Sequence, residues 1–157
     1  MSLNIFYHSD FLNHNTNIEH PECPDRLKAC ISTLKNCHFK DRLNWKIPRT
    51  ATEKELQLVH SVKHIQNIKK ICNSGGGIID HDTVVSKNSF EIALLSAGAW
   101  LDAVNEVLIG QSSLVLSRPP GHHAEKNKAM GFCIFSNAAL AAVIALKYSQ
   151  VKKVAIF

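Results

Sequence analysis

The stretch Ser113–Ala124, SLVLSRPPGHHA, carries the strongest structural signal in the chain. It begins with the apolar run SLVL, which predicts a buried β-strand, and two prolines then end that strand. Gly121 follows the prolines and allows a close approach of the backbone. We therefore predict that a rigid turn presents the adjacent imidazoles of His122 and His123 at the carboxyl end of the strand.

Two neighbouring histidines in a fixed loop can divide the work of proton transfer. One ring can accept a proton from water while the other stays charged or donates to a leaving group. An isolated His-His pair is more often a solvated surface feature. Here Pro-Pro-Gly precedes the pair, and Met130–Cys133 (MGFC) follows it. This context favours a catalytic interpretation.

Strands and helices alternate on both sides of this stretch. An initial strand is predicted at Leu3–His8 and a long buried helix at Ser89–Ile109, with a second Ala-rich helix at Asn137–Tyr148 and a last strand at Val151–Phe157. This order is typical of a parallel α/β sheet flanked by helices. We expect one domain, or part of one, over residues 1–157.

The first half of the chain contains three further helix signals. Pro24 suits the first position of a helix, and Thr52–Glu55 (TEKE) has the pattern of a capping box. A helix over Val62–Cys72 is predicted to end at the three glycines Gly75–Gly77. These glycines lack the spacing of a phosphate-binding loop and follow a helix rather than a strand.

Composition excludes several classes of protein. The 157 residues are 45% hydrophobic and 20% charged, which is typical of a globular domain. The formal net charge of +5 is spread along the chain, so no basic stripe indicates nucleic-acid binding. No apolar run reaches the length of a membrane span, and no signal-peptide core opens the chain. The five cysteines form no CxxC pair, which favours a reduced, cytoplasmic protein.

Several motifs together resemble the histone deacetylase superfamily, especially its class II-like branch, which includes bacterial acetylpolyamine amidohydrolases. The resemblance is carried by RPPGHHA at residues 118–124, GFCIFSNAALAA at residues 131–142, His20-Pro-Glu-x-Pro-x-Arg26 and Asp82-Thr83. These motifs lie in the family's order along almost the whole chain. The resemblance implies an arginase/deacetylase-like α/β fold.

The resemblance also implies an activity, which is hydrolysis of the acetamide of acetyl-lysine or of an acetylated polyamine. In this family zinc polarises the acetamide carbonyl and activates a bound water. His122 and His123 match the tandem active-site histidines. The second is usually assigned as general base and then acid, and the first as its electrostatic partner.

Four other residues match positions with assigned roles in the family. Gly131 and Phe132 match the lining of the narrow acyl-lysine tunnel, with Phe132 as one aromatic wall. Asp82 falls where the family has a rim carboxylate that binds the substrate backbone or amine. Arg26 matches an arginine near an internal channel for acetate.

The family's zinc ligands have no counterpart in this sequence. They are expected in an Asp-x-Asp-x-His segment after the strand represented by Val154–Phe157, and therefore beyond Phe157. We accordingly interpret residues 1–157 as the N-terminal part of one deacetylase domain, truncated before the ligands and inactive alone. Asp80–Asp82 (DHD) is only superficially ligand-like, and the evenly spaced His8, His14 and His20 are more typical of loop-bracing histidines.

Two alternative functions remain open on the sequence. One is a non-catalytic, acetyl-lysine-binding relic of the fold, because a fold does not guarantee activity. The other is a metallohydrolase of the arginase type, although the PPGHH and GFC motifs do not fit that class. The natural acyl substrate is not determined by these residues.

Overall fold

A computed structural model of the chain describes residues 2–157. The strands and α-helices follow in the order β1 (Leu3–Phe6), α1 (Pro24–Asn36), β2 (Leu43–Lys46), α2 (Glu53–Leu56), α3 (Val62–Asn73), β3 (Gly76–Asp80), β4 (Thr83–Ser86), α4 (Ser89–Leu108), β5 (Ser112–Val115) and α5 (Asn137–Ala145). Short 3-10 turns lie at Ser9–Asn13 and Lys40–Arg42.

The central sheet is parallel, and its strands lie in the order β2, β1, β5. In its register Ile5 of β1 is opposite Trp45 of β2 on one side and Leu114 of β5 on the other. Helices cover this sheet, so the predicted α/β class is confirmed. None of the helices in the described part is long and apolar enough to cross a membrane.

The predicted helix starts in the first half are confirmed. Pro24 occupies the first turn of α1, where its missing N–H leaves no hydrogen bond unmade. Thr52 and Glu55 form the predicted capping box at α2. The sequence did not predict the antiparallel hairpin of β3 and β4, which begins directly after α3. Gly75 and Gly76 make this turn possible because both have a positive φ.

Helix α4 is the shared wall of two hydrophobic clusters. One cluster joins its residues Leu94 and Leu101 to Phe135 and Leu140, and the other includes its residue Leu95. Because both sides of the helix are covered, nearly every position in its first three turns is buried. The predicted buried helix at Ser89–Ile109 is therefore confirmed.

Two expectations near the C-terminal end are wrong. Val151–Phe157 is not a strand, because its backbone has no strand partner among the described residues. The strand predicted at Ser113–Leu116 exists as β5, but the prediction that it is buried is wrong. Alternate side chains are exposed, and Leu114 is 37% exposed. The physical reason is that, among the described residues, β5 is an edge strand and pairs only with β1.

Two buried histidines attach α2 and α3 to the segment that precedes α5. The backbone N–H of Ser136 donates to Nε2 of His60 at 2.8 Å, and Nε2 of His64 lies 3.1 Å from the carbonyl oxygen of Ile134. Burial, followed by the nearby His64, lowers the pKa of His60 to about 4. His60 is therefore neutral at pH 7.

We predict that Gly98→Ala strongly destabilises the full-length protein. A Cβ at position 98 would lie 2.0 Å from the carbonyl oxygen of Arg49, and backbone cannot move aside as a flexible side chain can. The overlap should cost roughly 3 kcal/mol, more than the helix propensity of alanine returns. Chemical denaturation measures the change. Gly77→Ala is the matched control, since its nearest contact would be Ile71 Cγ2 at 3.7 Å; equal stability of the two variants would contradict the prediction.

We also predict that His60 makes stability depend on pH. The unfolded state binds a proton near pH 6.5, whereas folded His60 does so only near pH 4, so stability falls as the pH decreases through this window. The loss attributable to His60 should be about 2 kcal/mol between pH 7 and pH 5. His60→Gln should remove this part of the pH dependence, and exposed His38→Gln should retain it. Unfolding curves at pH 7 and pH 5 give this loss of unfolding free energy. An equal loss in the wild type and in His60→Gln would contradict the role of His60.

Candidate active site

The loop after β5 places the two predicted histidines side by side. The rings of His122 and His123 have centroids 4.2 Å apart and an interplanar angle of 56°. Both residues are exposed, so nothing within the described part of the chain removes water from them. A Cβ at Gly121 would lie 2.6 Å from the backbone of Phe135 and Asn137, so only glycine fits there.

Gly131 and Phe132 have left-handed backbone conformations, and Gly131 lies against His123. Their φ angles are +57° and +69°, which is rare for a residue with a side chain such as Phe132. A Cβ at Gly131 would lie 2.7 Å from Cδ2 of His123, so the glycine backbone packs directly on that imidazole. The structure therefore brings Gly131, the first predicted tunnel residue, into contact with His123, and Phe132 follows it directly in the chain.

Asp82 and Thr83 hold Gly131 and Phe132 in place. The N–H of Gly131 donates to Oδ1 of Asp82 at 3.2 Å, and the N–H of Phe132 donates to Oγ1 of Thr83 at 3.1 Å. The side chain of Asp82 is 32% exposed. The predicted rim carboxylate thus has one oxygen committed to the backbone of the neighbouring loop and remains accessible to solvent.

His20 connects the N-terminal loop to the same residues. Its Nδ1 accepts from the N–H of Glu22 at 3.1 Å, so the ring hydrogen is on Nε2, which donates to the carbonyl oxygen of Asp82 at 3.0 Å. The ring also packs edge-on against Phe132, with centroids 4.8 Å apart. His20 therefore braces this loop against the site.

The arginine buried beside the site is Arg118, and Arg26 is exposed on α1. Arg118 donates from Nε and Nη2 to the two carboxylate oxygens of Glu22 at 2.6 and 2.8 Å. It also donates to the carbonyl oxygens of Phe11 and Glu22. Sequence reasoning missed this pair. The available signal was a charged residue directly beside a proline in each of two motifs, His20–Arg26 and Arg118–Ala124.

His14 completes the buried polar cluster around Glu22. Its Nδ1 is 2.7 Å from Oγ of Ser89, while its Nε2 has no hydrogen-bond partner and lies 3.8 Å from Oε2 of Glu22. Burial, the charge of Arg118 and then His20 lower the pKa of His14 to about 3. The ring is therefore a neutral group under Glu22 at physiological pH.

A small cavity of about 200 Å³ lies beside His122 and includes Trp100, Ser117 and Asn137 in its lining. Asn137 is buried and donates from Nδ2 to Oγ of Ser96 at 3.1 Å, but its Oδ1 has no partner. Asn137 therefore lines the same cavity as His122, which belongs to the loop that carries the histidine pair.

The described residues offer no set of metal ligands. Across residues 2–157, no three His, Cys, Asp or Glu side chains converge as a metal site requires. His8, His14 and His20 have separate partners, so they do not form a cluster. The Asp80–Asp82 segment is a turn in which His81 lies between the two carboxylates. These residues do not fit the zinc that the resemblance implies.

Cys133 is a packing residue beside the pair. It is fully buried, the N–H of His123 lies 3.4 Å from its Sγ, and that thiol lies 3.3 Å from the carbonyl oxygen of Gly131. Burial raises the pKa of the thiol, which makes it a poor nucleophile. The seven-residue spacing of Cys23, Cys30 and Cys37 predicts buried thiols on one helix face, and this prediction is wrong. Cys30 is exposed, and Cys23 and Cys37 are helix caps, because α1 buries Leu27 and Ile31 instead.

Comparison with known proteins identifies the family. Residues 20–157 match the histone deacetylase domain. The chain is 35% identical over 87% of its length to a histone deacetylase-like amidohydrolase of Pseudomonas aeruginosa, and 34% identical over 90% to the human polyamine deacetylase HDAC10, covering 37% and 23% of those proteins. The crystal structure of the HDA15 HD domain superposes with a TM-score of 0.85 at 33% identity, covering 93% of this chain and 44% of that one.

The extent of these matches is uneven. The chain spans about half or less of the length of the curated relatives it matches, whereas most of its own residues are included in each alignment. The domain match, the relatives and the solved structure agree with one another. The chain belongs to the histone deacetylase family.

Proposed function

We propose that the whole protein is a zinc-dependent deacetylase that hydrolyses the acetamide of acetyl-lysine or of an acetylated polyamine. Residues 1–157 would be the N-terminal part of its single catalytic domain. The observation that carries the proposal is the adjacent pair of histidine rings with the backbone of Gly131 packed on His123. The names of relatives that are deacetylases or amidohydrolases support the same reaction class.

Proton transfer is the part of this reaction that we assign to the histidine pair. His123 accepts a proton from the water that attacks the acetamide carbon, and His122 beside it balances the developing charge. When the C–N bond breaks, His123 returns the proton to the departing amine. The products are the free amine and acetate, so atoms and charges balance.

The wall beside the pair fits a slender acyl-amine. Gly131 leaves space next to His123 because any side chain there would overlap the imidazole. Phe132 presents an aromatic surface to an alkyl chain, and the partly exposed carboxylate of Asp82 can accept a hydrogen bond from an amide or amine of the substrate. The acetate-channel role predicted for Arg26 is not part of this proposal, because that side chain is exposed.

Zinc, when bound, would supply Lewis-acid activation of the carbonyl and of the water. The ligands would come from residues beyond Phe157, since residues 2–157 do not offer a suitable set. We further propose a cytoplasmic location, on the cysteine pattern alone. No step of the proposal involves nucleic acid or a membrane.

The first test of the proposal is His123→Ala in the full-length protein. We expect hydrolysis of an acetylated lysine or polyamine reporter to fall at least about 100-fold, because general acid–base catalysis is lost. Zinc content should remain within error of the wild type, because His123 is assigned as a proton carrier and not as a ligand. Turnover and metal analysis of the same preparation give both answers, with exposed His38→Ala as the control. Stoichiometric loss of zinc would contradict the assignment.

The second test concerns residues 1–157 produced alone. This fragment should neither bind catalytic zinc nor hydrolyse an acetyl-lysine reporter, because a catalytic site usually needs three protein ligands. The exposed Ile156 and Phe157 and the edge strand β5 should also favour association with other chains. Excess zinc and an acetylated peptide are added to the monomeric fraction from gel filtration. Turnover above that of a fragment carrying both His122→Ala and His123→Ala would contradict the proposed location of the ligands.

A further inference from the structure

The carboxylate–guanidinium pair of Glu22 and Arg118 is both two-pronged and buried. The two side chains are 3% and 4% exposed, and Nε and Nη2 of the guanidinium face the two carboxylate oxygens. Two backbone carbonyls accept the other hydrogen bonds of Arg118. Burying two charges is costly, and this cost is offset only where the geometry and the hydrogen bonds are nearly complete.

One side of the pair leads directly to His122 and His123. Pro119 and Pro120 have restricted φ angles and follow Arg118 immediately. Gly121 is wedged against the backbone of Phe135 and Asn137. The short segment that leads to the histidines, residues 118–121, is therefore fixed at one end by the guanidinium and at the other by this contact.

The other side of the pair leads to the wall of the tunnel. Glu22 donates its N–H to His20, and His20 in turn contacts the ring of Phe132 and the carbonyl oxygen of Asp82. Asp82 then holds the N–H of Gly131, which packs on His123. The loops that carry the histidines and the wall thus share the Glu22–Arg118 pair as their common attachment.

We propose that Glu22 and Arg118 are positioning residues for the reaction, because they set the distance between the His122–His123 pair and the Gly131–Phe132 wall. This inference rests on the proposed function. Its physical consequence is a change in kcat rather than in substrate affinity, since neither side chain reaches the substrate. A displacement of reacting groups by about 1 Å can reduce a rate by about 100-fold.

The test uses Glu22→Gln and Arg118→Lys in the full-length, zinc-loaded protein. Glu22→Gln keeps the shape but leaves the buried guanidinium without its counter-charge, and Arg118→Lys keeps the charge but lacks the two-pronged geometry. We expect kcat to fall about 10- to 100-fold in both variants, while KM changes less than about twofold. Arg118→Lys also serves as the deciding variant if Glu22→Gln does not fold.

A matched control is available in the pair of Arg49 and Glu55. It is also two-pronged, at 2.7 and 3.0 Å, but its side chains are 43% and 26% exposed and it does not contact the site loops. Glu55→Gln should lower the melting temperature and leave kcat unchanged. If the two site variants also lose only thermal stability and keep the wild-type kcat, the positioning role is wrong and the pair is merely structural.

A second readout does not depend on turnover. The imidazole ¹³C–¹H resonances of His122 and His123, assigned with His122→Gln and His123→Gln, should shift in Glu22→Gln and Arg118→Lys and stay in place in Glu55→Gln. Unchanged resonances in both site variants would overturn the positioning role. A wild-type protein that does not hydrolyse acetylated amines would refute the proposed function instead, and the resonances would still decide whether this pair positions the histidines.

Discussion

The ion pair of Glu22 and Arg118 is the contact on which the arrangement of the site loops depends. Each partner belongs to a separate loop, and the residues are 96 positions apart in sequence. Removing one partner leaves an uncompensated buried charge, which usually costs several kcal/mol, whereas an exposed pair contributes much less. The N-terminal loop and the loop after β5 are therefore held together by a contact that tolerates little change in geometry.

Glycines and a buried helix set the remaining distances. Helix α4 approaches the backbone of Arg49 so closely at Gly98 that no Cβ fits. The same limit applies at Gly121 and Gly131, where a Cβ would meet backbone or the ring of His123. These close contacts are fixed by sterics, so they limit where the loops that carry the histidine pair and Gly131 can lie.

The sequence predicts those features whose signal is local. The helix start at Pro24, the capping box of Thr52 and Glu55, and the long apolar helix α4 follow from spacing and residue type within a few turns. The adjacency of the two histidines is likewise fixed by their neighbours in sequence. Their contact with Gly131 became predictable only through the motifs shared with a known family.

Features that depend on distant partners could not be predicted in this way. A strand forms only where another strand accepts its hydrogen bonds, so the apolar character of Val151–Phe157 and Leu114 gave no information about pairing or exposure. The β3–β4 hairpin pairs short segments whose glycines read most simply as the end of a helix. The buried pair of Glu22 and Arg118 was missed for the same reason, since neither residue shows its partner in the local pattern.

Burial separates the histidines around the site into two chemical groups. His14 and His60 are buried, and burial lowers the pKa of each, so they act as neutral groups with fixed hydrogen-bond partners. The rings of His122 and His123 are exposed and have no hydrogen-bonded partner within residues 2–157. Burial shields His14 and His60 from water, so these rings are poorly placed to exchange protons with it. Among the described residues, His122 and His123 are therefore the adjacent pair at the site whose rings are open to water.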